Sequence, residues 1–153
     1  CVATEGILED PLFKPLGKPK SSLLGLIKDL FNWVKKAPVE ESLRQRALSA
    51  MGSMKSNRAV DKMYALAKAG AIDEGDIASW KFLRNPSAHG SFEVQADKLQ
   101  ELLDHIYRLI TLIYKLVFLK IGYTGKYSDY SRRGWSLSDY DAPARLKTIQ
   151  GRA

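Results

Sequence analysis

Apolar residues recur at three- and four-residue steps at Leu99, Leu102, Leu103, Ile106, Leu109, Ile110, Ile113, Leu116 and Val117, the spacing of one buried helix face. Glu101, Asp104, Arg108, Thr111 and Lys115 form the opposite stripe, so the pattern predicts a long core helix that begins near Val94 to Asp97. Charges at Glu101, Asp104, Arg108, Lys115 and Lys120 interrupt this segment too often for a membrane span. Leu23, Leu26, Ile27, Leu30, Phe31 and Val34 repeat the helical spacing behind a capping Ser21 or Ser22, and Pro38 ends that element. Further helices are expected from Val39 into the Met51 to Lys55 region and from Arg58 to Ala69, with Gly70 as a stop. A short helix from Asp73 or Asp76 carries Ile77, Trp80, Phe82 and Leu83 and ends where Pro86 forbids its uninterrupted continuation. No strand-type alternation is long enough to predict a sheet, and no internal repeat occurs. The expectation is an all-α fold, a four- to five-helix bundle with a long C-terminal core helix and a loop-rich tail.

The chain divides by texture into three parts. Residues 1–20 carry Pro11, Pro15 and Pro19 without a sustained period and read as a linker or N-terminal arm, contributing no core beyond Leu12 and Phe13. Residues 21–122 form the bundle, and residues 123–153 a basic, aromatic tail that opens with YTGKYSDYSRRGW. With 153 residues the chain makes one domain that needs neither disulfides nor a structural metal. The single cysteine, Cys1, cannot form an internal bridge, and no metal-ligand spacing is present, so a cytoplasmic setting and no cofactor are expected. The chain starts at Cys rather than Met without signal-peptide features, and reads as a piece cut from a longer protein.

Charge narrows the partner. Of a net charge of +7, five units lie from Thr111 onward, where eight Lys and Arg face three Asp. Such asymmetry favours an anionic partner, nucleic acid first.

The chemistry concentrates in WKFLRNPSAHG, Trp80 to Gly90. Residues five apart on an ideal helix lie about 140° apart around its axis, which would separate Arg84 from His89. Asn85 as an N-cap with Pro86 at the first position of a new turn would bend the chain and turn both toward one cleft, with Gly90 permitting the exit. A permanently charged guanidinium beside an imidazole that titrates near neutrality suits phosphodiester transfer in RNA, which supplies its own nucleophile. His89 would take the 2′-hydroxyl proton, Arg84 would stabilise the phosphoryl oxygens without a metal, and Asn85 would hold the bend or contact substrate. The expected ends are a 2′,3′-cyclic phosphate and a 5′-hydroxyl. One histidine does not easily serve as base and acid in a single step, which favours two copies meeting at a symmetric interface, hence a homodimer. Residue types alone equally allow a capped helix start with Arg84 paired to a surface carboxylate and His89 solvated.

The string LRNPSAHG resembles the signature of HEPN domains, an Arg followed after four to six residues by His, with a polar residue, often Asn, directly after the Arg. KIGYTGKY after the long helix resembles the segment that follows the C-terminal HEPN domain of ApeA-like proteins, and the resemblance covers roughly residues 22 to 130. It implies a dimerising four- or five-helix bundle with a composite, metal-independent ribonuclease site at Arg84, Asn85 and His89. It also implies a place in phage defence or a toxin-antitoxin-like system, with an N-terminal sensor domain or an antitoxin as further partner. Some members of the family are non-catalytic modules that bind nucleotides, nucleic acid or partners, which is the alternative reading.

Other residues weigh less. His105, beside Asp104 and three positions from Arg108, is either a second imidazole for catalysis or a salt-bridged member of a charged stripe. Tyr123, Tyr127, Tyr130, Trp135 and Tyr140 interleave with Lys126, Arg132 and Arg133 in a composition that suits single-stranded RNA, although such aromatics also fold back to seal a core. Arg132, Arg133 and Lys81 are the candidate RNA contacts. Ser87 lacks a hydrolase-type base and acid, no phosphate-loop pattern occurs, and the acidic groups Glu40 with Glu41 and Asp73, Glu74 and Asp76 are better explained by helix starts than by metal binding.

Overall fold

A computed structural model describes residues 2–19, 21–55, 57–89 and 98–150, with the side chains of 85–89 and 150 outside that description. In chain order the elements are α1 (Val2–Leu8), a 3-10 turn (Pro11–Phe13), α2 (Ser21–Lys36), α3 (Glu41–Ser53), α4 (Ala59–Lys68), α5 (Glu74–His89), α6 (Leu99–Ile121), β1 (Thr124–Ser128), β2 (Leu137–Asp141) and α7 (Ala142–Gln150). The described residues are thus mostly helical, as the periodicity predicts, but a two-stranded antiparallel sheet and a terminal helix stand where a loop-rich tail is expected. No described helix is long and apolar enough to cross a membrane.

The spine helix forms, yet its buried face differs from the predicted one. Leu112, Leu116 and Leu119 are buried together with Thr111 and Lys115, two members of the stripe expected in water, while Leu99 is half exposed. From Leu109 to Leu119 the helix is apolar on nearly every side, so periodicity alone selects no face. Lys115 decides it. Its Nζ donates to Asp76 Oδ2 at 2.9 Å and to Asp73 Oδ2 at 2.5 Å, across the start of α5. Gly122 then ends α6 in the left-handed region, at φ 68°, and Tyr123 N–H reaches back to Phe118 O.

Residues 2–19 are no detached arm. Leu8, Phe13 and Leu16 join Met63, Leu66, Ile77, Trp80, Leu112, Leu116 and Leu119 in one core cluster. Pro11 opens the 3-10 turn, where its missing N–H is tolerated, and Asp10 caps that turn by accepting from Leu12 N at 3.0 Å. Buried Lys62 on α4 donates to Leu8 O at 2.8 Å and to Glu9, Lys120 pairs with Asp10 at 3.0 Å, and Asn57 holds Lys14 O and Leu16 O. Gly17 lies so close to α4 that a Cβ there would stand 2.7 Å from backbone atoms of Asp61 and Lys62.

α2 is the reverse case. Its predicted buried face is largely open: Leu26 and Trp33 are each 66% exposed, and Ile27 is its buried residue. α2 packs chiefly against α3, whose sequence ESLRQRALSAMGS offers few apolar positions with which to cover it.

The tail closes the other side. β1 and β2 pair from Thr124↔Asp141 to Ser128↔Leu137, and buried Tyr140 donates its hydroxyl to Ala71 O at 3.0 Å. Asp141 accepts from Ala144 N at 3.0 Å and so caps α7, whose Ile149 returns to the core.

Candidate functional site

α5 carries the Arg84-Asn85-(three residues)-His89 cluster as a single helix. It runs through Pro86 to His89 instead of ending before the proline, so the predicted N-cap at Asn85 and the new turn at Pro86 do not form. Pro86 sits in the last turn, where the N–H it withholds from the carbonyl four residues back interrupts only the end of the ladder. Positions 84 and 89 of an unbroken helix lie about 140° apart around its axis. A bend within one chain therefore does not bring them together. The side chains of Asn85 and His89 lie outside the described residues, as does the exit at Gly90.

Arg84 lies among the described residues. Its Nε donates to Glu5 Oε1 on α1 at 2.6 Å, and its guanidinium carbon lies 5.4 Å from the ring centre of Trp80, one turn earlier on α5. Both partners of the ion pair are partly exposed, Arg84 at 46% and Glu5 at 38% of the side chain. Pairing with a surface carboxylate is the arrangement that the structural alternative anticipates for Arg84. Lys81, three positions back, donates to Tyr64 Oη at 2.9 Å and lies over the same ring. Arg84, Lys81 and Arg58 together line an open groove of about 740 Å³ between α1, α4 and α5, with Glu5 and Glu9 on its α1 side and Trp80 as its floor. Two of the residues expected to contact RNA or its reacting phosphate, Arg84 and Lys81, thus share a groove.

His105 is placed by packing. It stacks on Phe82 at 4.1 Å between ring centres, its Nδ1 stands 3.0 Å from Ser79 Oγ, and its Nε2 is 4.0 Å from Glu101. Ser79 Oγ also donates to Gly75 O at 3.0 Å, so this hydroxyl joins the imidazole to the first turns of α5. His105 does not line the groove of Arg84.

Arg132 and Arg133 lie elsewhere. The loop between β1 and β2 folds over α6 to enclose a second hollow of about 570 Å³, lined by Tyr107, Arg108, Asp104 and Gln100 of the helix and by Tyr130 to Trp135 of the loop. It shares no lining residue with the first. Asp129, buried at the loop's start, accepts from Ser131 N at 3.1 Å and from the Ser131 hydroxyl, and lies 3.2 Å from Arg132 Nε. Asp129 N–H also donates to Ser136 O, and Trp135 N–H to Arg132 O, which closes the loop on itself. Trp135 is a bulky residue in the left-handed region, at φ 52°, a conformation that costs about 1–2 kcal/mol. Of the tail aromatics, Tyr127 and Tyr140 pack with Phe118 as a core seal, while Tyr130 and Trp135 gather around Tyr107 at the hollow. Tyr107 and Arg108 were not legible as site residues, because the helical spacing that places them on α6 gives no hint of which loop returns there.

A buried polar network adjoins the second hollow through Arg108. Asp76 is fully buried, and its desolvation raises its pKa above the ordinary carboxylate value against the pull of Lys115. Burial works against the Lys115 ammonium, but Asp76 and Asp73 outweigh it and hold its pKa above the usual lysine value. Lys115's hydrogen bond holds the Asp73 carboxyl below its usual range. Arg108 approaches the other oxygen of Asp76 to 3.9 Å, and its guanidinium lies against Gly75, where a Cβ would come within 2.6 Å. Among the described residues no group of His, Cys, Asp and Glu is arranged to hold a metal ion. The chain matches no protein-family model, no curated protein and no solved structure.

Proposed function

We propose that this chain is a HEPN-type, metal-independent endoribonuclease, acting as a homodimer in which His89 transfers the proton of the ribose 2′-hydroxyl and Arg84 stabilises the phosphoryl oxygens. The observation that carries the reading is the Arg84-Asn85-(three residues)-His89 string at the end of α5, with Arg84 lining a groove beside Lys81 and Arg58. The groove suits a phosphate backbone, which guanidinium and ammonium groups neutralise. An unbroken α5 favours a composite site. With positions 84 and 89 about 140° apart, one chain's Arg84 and the other's His89 can face the same phosphate where a single chain's pair cannot. The exposed apolar side of α2, at Leu23, Leu26, Leu30 and Trp33, supplies area for self-association. A role in phage defence or a toxin-antitoxin-like system, with a sensor domain or an antitoxin restraining the activity, belongs to the same reading.

The test is incubation of the pure chain with RNA in chelator. Cyclic-phosphate ends that vanish in Arg84→Ala and His89→Ala are expected, together with a dimer by sedimentation at micromolar concentration. Cleavage unchanged in both variants would overturn the assignment. The Glu5–Arg84 pair favours one second reading, a non-catalytic module that binds nucleic acid or a nucleotide, in which Arg84 is structural. That reading predicts RNA binding without cleavage in the same assay.

A further inference from the structure

The hollow between the β1–β2 loop and α6 takes no part in the cleavage step, yet it combines three kinds of group. Arg108, Arg132 and Arg133 supply three guanidinium groups against the one carboxylate of Asp104. Two of the three are oriented from below by buried carboxylates, Arg108 toward Asp76 and Arg132 by Asp129. Arg133 is exposed and forms no ion pair among the described residues. The rest of the wall is aromatic. Trp135 meets Tyr107 and Tyr130 at steep angles, 61° and 68°, so neither tyrosine lies flat on its indole, and the residue stays 51% exposed.

A half-exposed indole is a poor seal for a core. It is also held in a left-handed backbone conformation that a bulky residue keeps only where its surroundings over-determine it, and such positions cluster at ligand clamps. The loop's own bonds at Asp129, Ser131, Arg132 and Ser136 supply that determination, so the site is preformed. A cavity of about 570 Å³ is of the size that takes one small ligand. A bare inorganic anion would use the arginines and leave the ring idle, whereas a purely apolar ligand would strand the charges.

We propose that this hollow binds a nucleoside phosphate: the base stacks on Trp135, Arg132 and Arg133 take the phosphate, and Asp104 accepts from ribose hydroxyls or a base amino group. Where the nucleoside phosphate is a unit of an RNA strand, the inference rests on the ribonuclease reading and names a substrate subsite remote from the reacting bond. A free nucleotide offers the same base, sugar and phosphate, and the site then stands without that reading.

The experiment uses the whole chain without added metal and two probes that its proposed chemistry cannot cleave. One is a labelled 2′-O-methyl oligoribonucleotide of roughly ten units, followed by anisotropy; the other is adenosine 5′-monophosphate, followed by tryptophan fluorescence and by competition. Trp135→Gly and Arg133→Glu are each expected to weaken binding about tenfold. Glycine takes a positive φ without penalty, so Trp135→Gly is expected to keep or raise the melting temperature. If the mononucleotide competes and loses affinity in both variants, the site serves a free nucleotide; if only the oligonucleotide responds, it serves a strand. Unchanged affinity for both probes in both variants would overturn the proposal, as would a melting temperature that falls in Trp135→Gly while binding stays intact, the mark of a purely structural ring. Because neither probe can be cleaved, these outcomes concern the hollow alone, and loss of cleavage in the Arg84 and His89 variants concerns the ribonuclease reading alone.

Discussion

Arg84 on α5 is held by Glu5 on α1 through a 2.6 Å hydrogen bond from its Nε, in an ion pair open to water. Exposed pairs of this kind are worth roughly 0.2–1 kcal/mol, so an incoming phosphate can displace Glu5 at little cost. Glu5→Gln is therefore expected to raise RNA cleavage by no more than about fivefold while lowering the melting temperature by no more than about 2–4 °C. Initial rates on a labelled RNA in chelator check this. A fall in rate would show that Glu5 positions Arg84 rather than restraining it.

Lys115 and Asp76 give a stability prediction. Lys115→Met leaves the buried Asp76 carboxylate without its ammonium, and such uncompensated charges cost about 3–5 kcal/mol. Adding Asp76→Asn removes the stranded charge and is expected to recover most of the loss. Urea midpoints of the two single variants and the double variant measure the coupling.

The same network sets a pH dependence. Lys115's folded pKa stands above its ordinary 10.5, so its contribution to stability is complete below pH 10.5 and is lost as pH rises through the raised value. Asp73's folded pKa stands below 3.8, so its contribution is complete above pH 3.8 and is lost as pH falls through the lowered value. Asp76 opposes the acid loss, because its raised pKa means that protonation relieves a buried charge. Melting temperature against pH should show an alkaline decline that Lys115→Met reduces, the rest belonging to Tyr127 and buried Tyr140, and an acid decline that Asp73→Asn reduces.

Gly17 tolerates no side chain. A Cβ there meets α4 backbone at 2.7 Å, and φ is +67°, so Gly17→Ala combines left-handed strain with a clash against atoms that cannot swing aside. The expected cost is about 2–4 kcal/mol, read from urea unfolding. Gly70, also at positive φ but with open space around it, should lose only the conformational part on substitution by Ala, about 1–2 kcal/mol.

Tyr140 and Asp141 test whether the tail belongs to the folded unit. Tyr140→Phe leaves the Ala71 carbonyl without its hydroxyl donor and is expected to cost about 1–3 kcal/mol. Asp141→Ala removes the cap of α7 and should cost about 1 kcal/mol. Both losses should appear in one cooperative transition followed at the Trp80 side of the core; separate transitions would make the tail an independent unit.

The helices were legible where one face alternates clearly with another, as in α4 with its Gly70 stop. The buried face of α6 was not, because its C-terminal half is apolar all round and an internal ion pair at Lys115 chose the orientation. The N-terminal segment was hidden by its prolines: Pro11 signals an extended chain locally, and only the tertiary partners Lys62, Asn57 and Lys120 make Leu8 and Leu16 core. The strands are five residues each and mostly polar, too short for alternation to register. α7 did leave a signal, Asp141 ahead of Pro143, which is a capped helix start. At the candidate site, residue types pointed to Arg84, Asn85 and His89, but the geometry expected of Pro86 did not follow from its presence, since a proline in the last turn ends nothing. The second hollow needed two distant segments to meet, Tyr107 on α6 and Trp135 eight residues past Tyr127, and spacing along a chain does not report that.

α1 ties the candidate groove to the core. Within one short helix, Thr4 and Leu8 are anchored in the core and Glu5, between them, grips Arg84 from outside. Loss of this helix would take Leu8 from the core as well as Glu5 from Arg84. The wall of the candidate groove and the hydrophobic core therefore share one element, and a substitution that loosens Leu8 also shifts the carboxylate that faces Arg84.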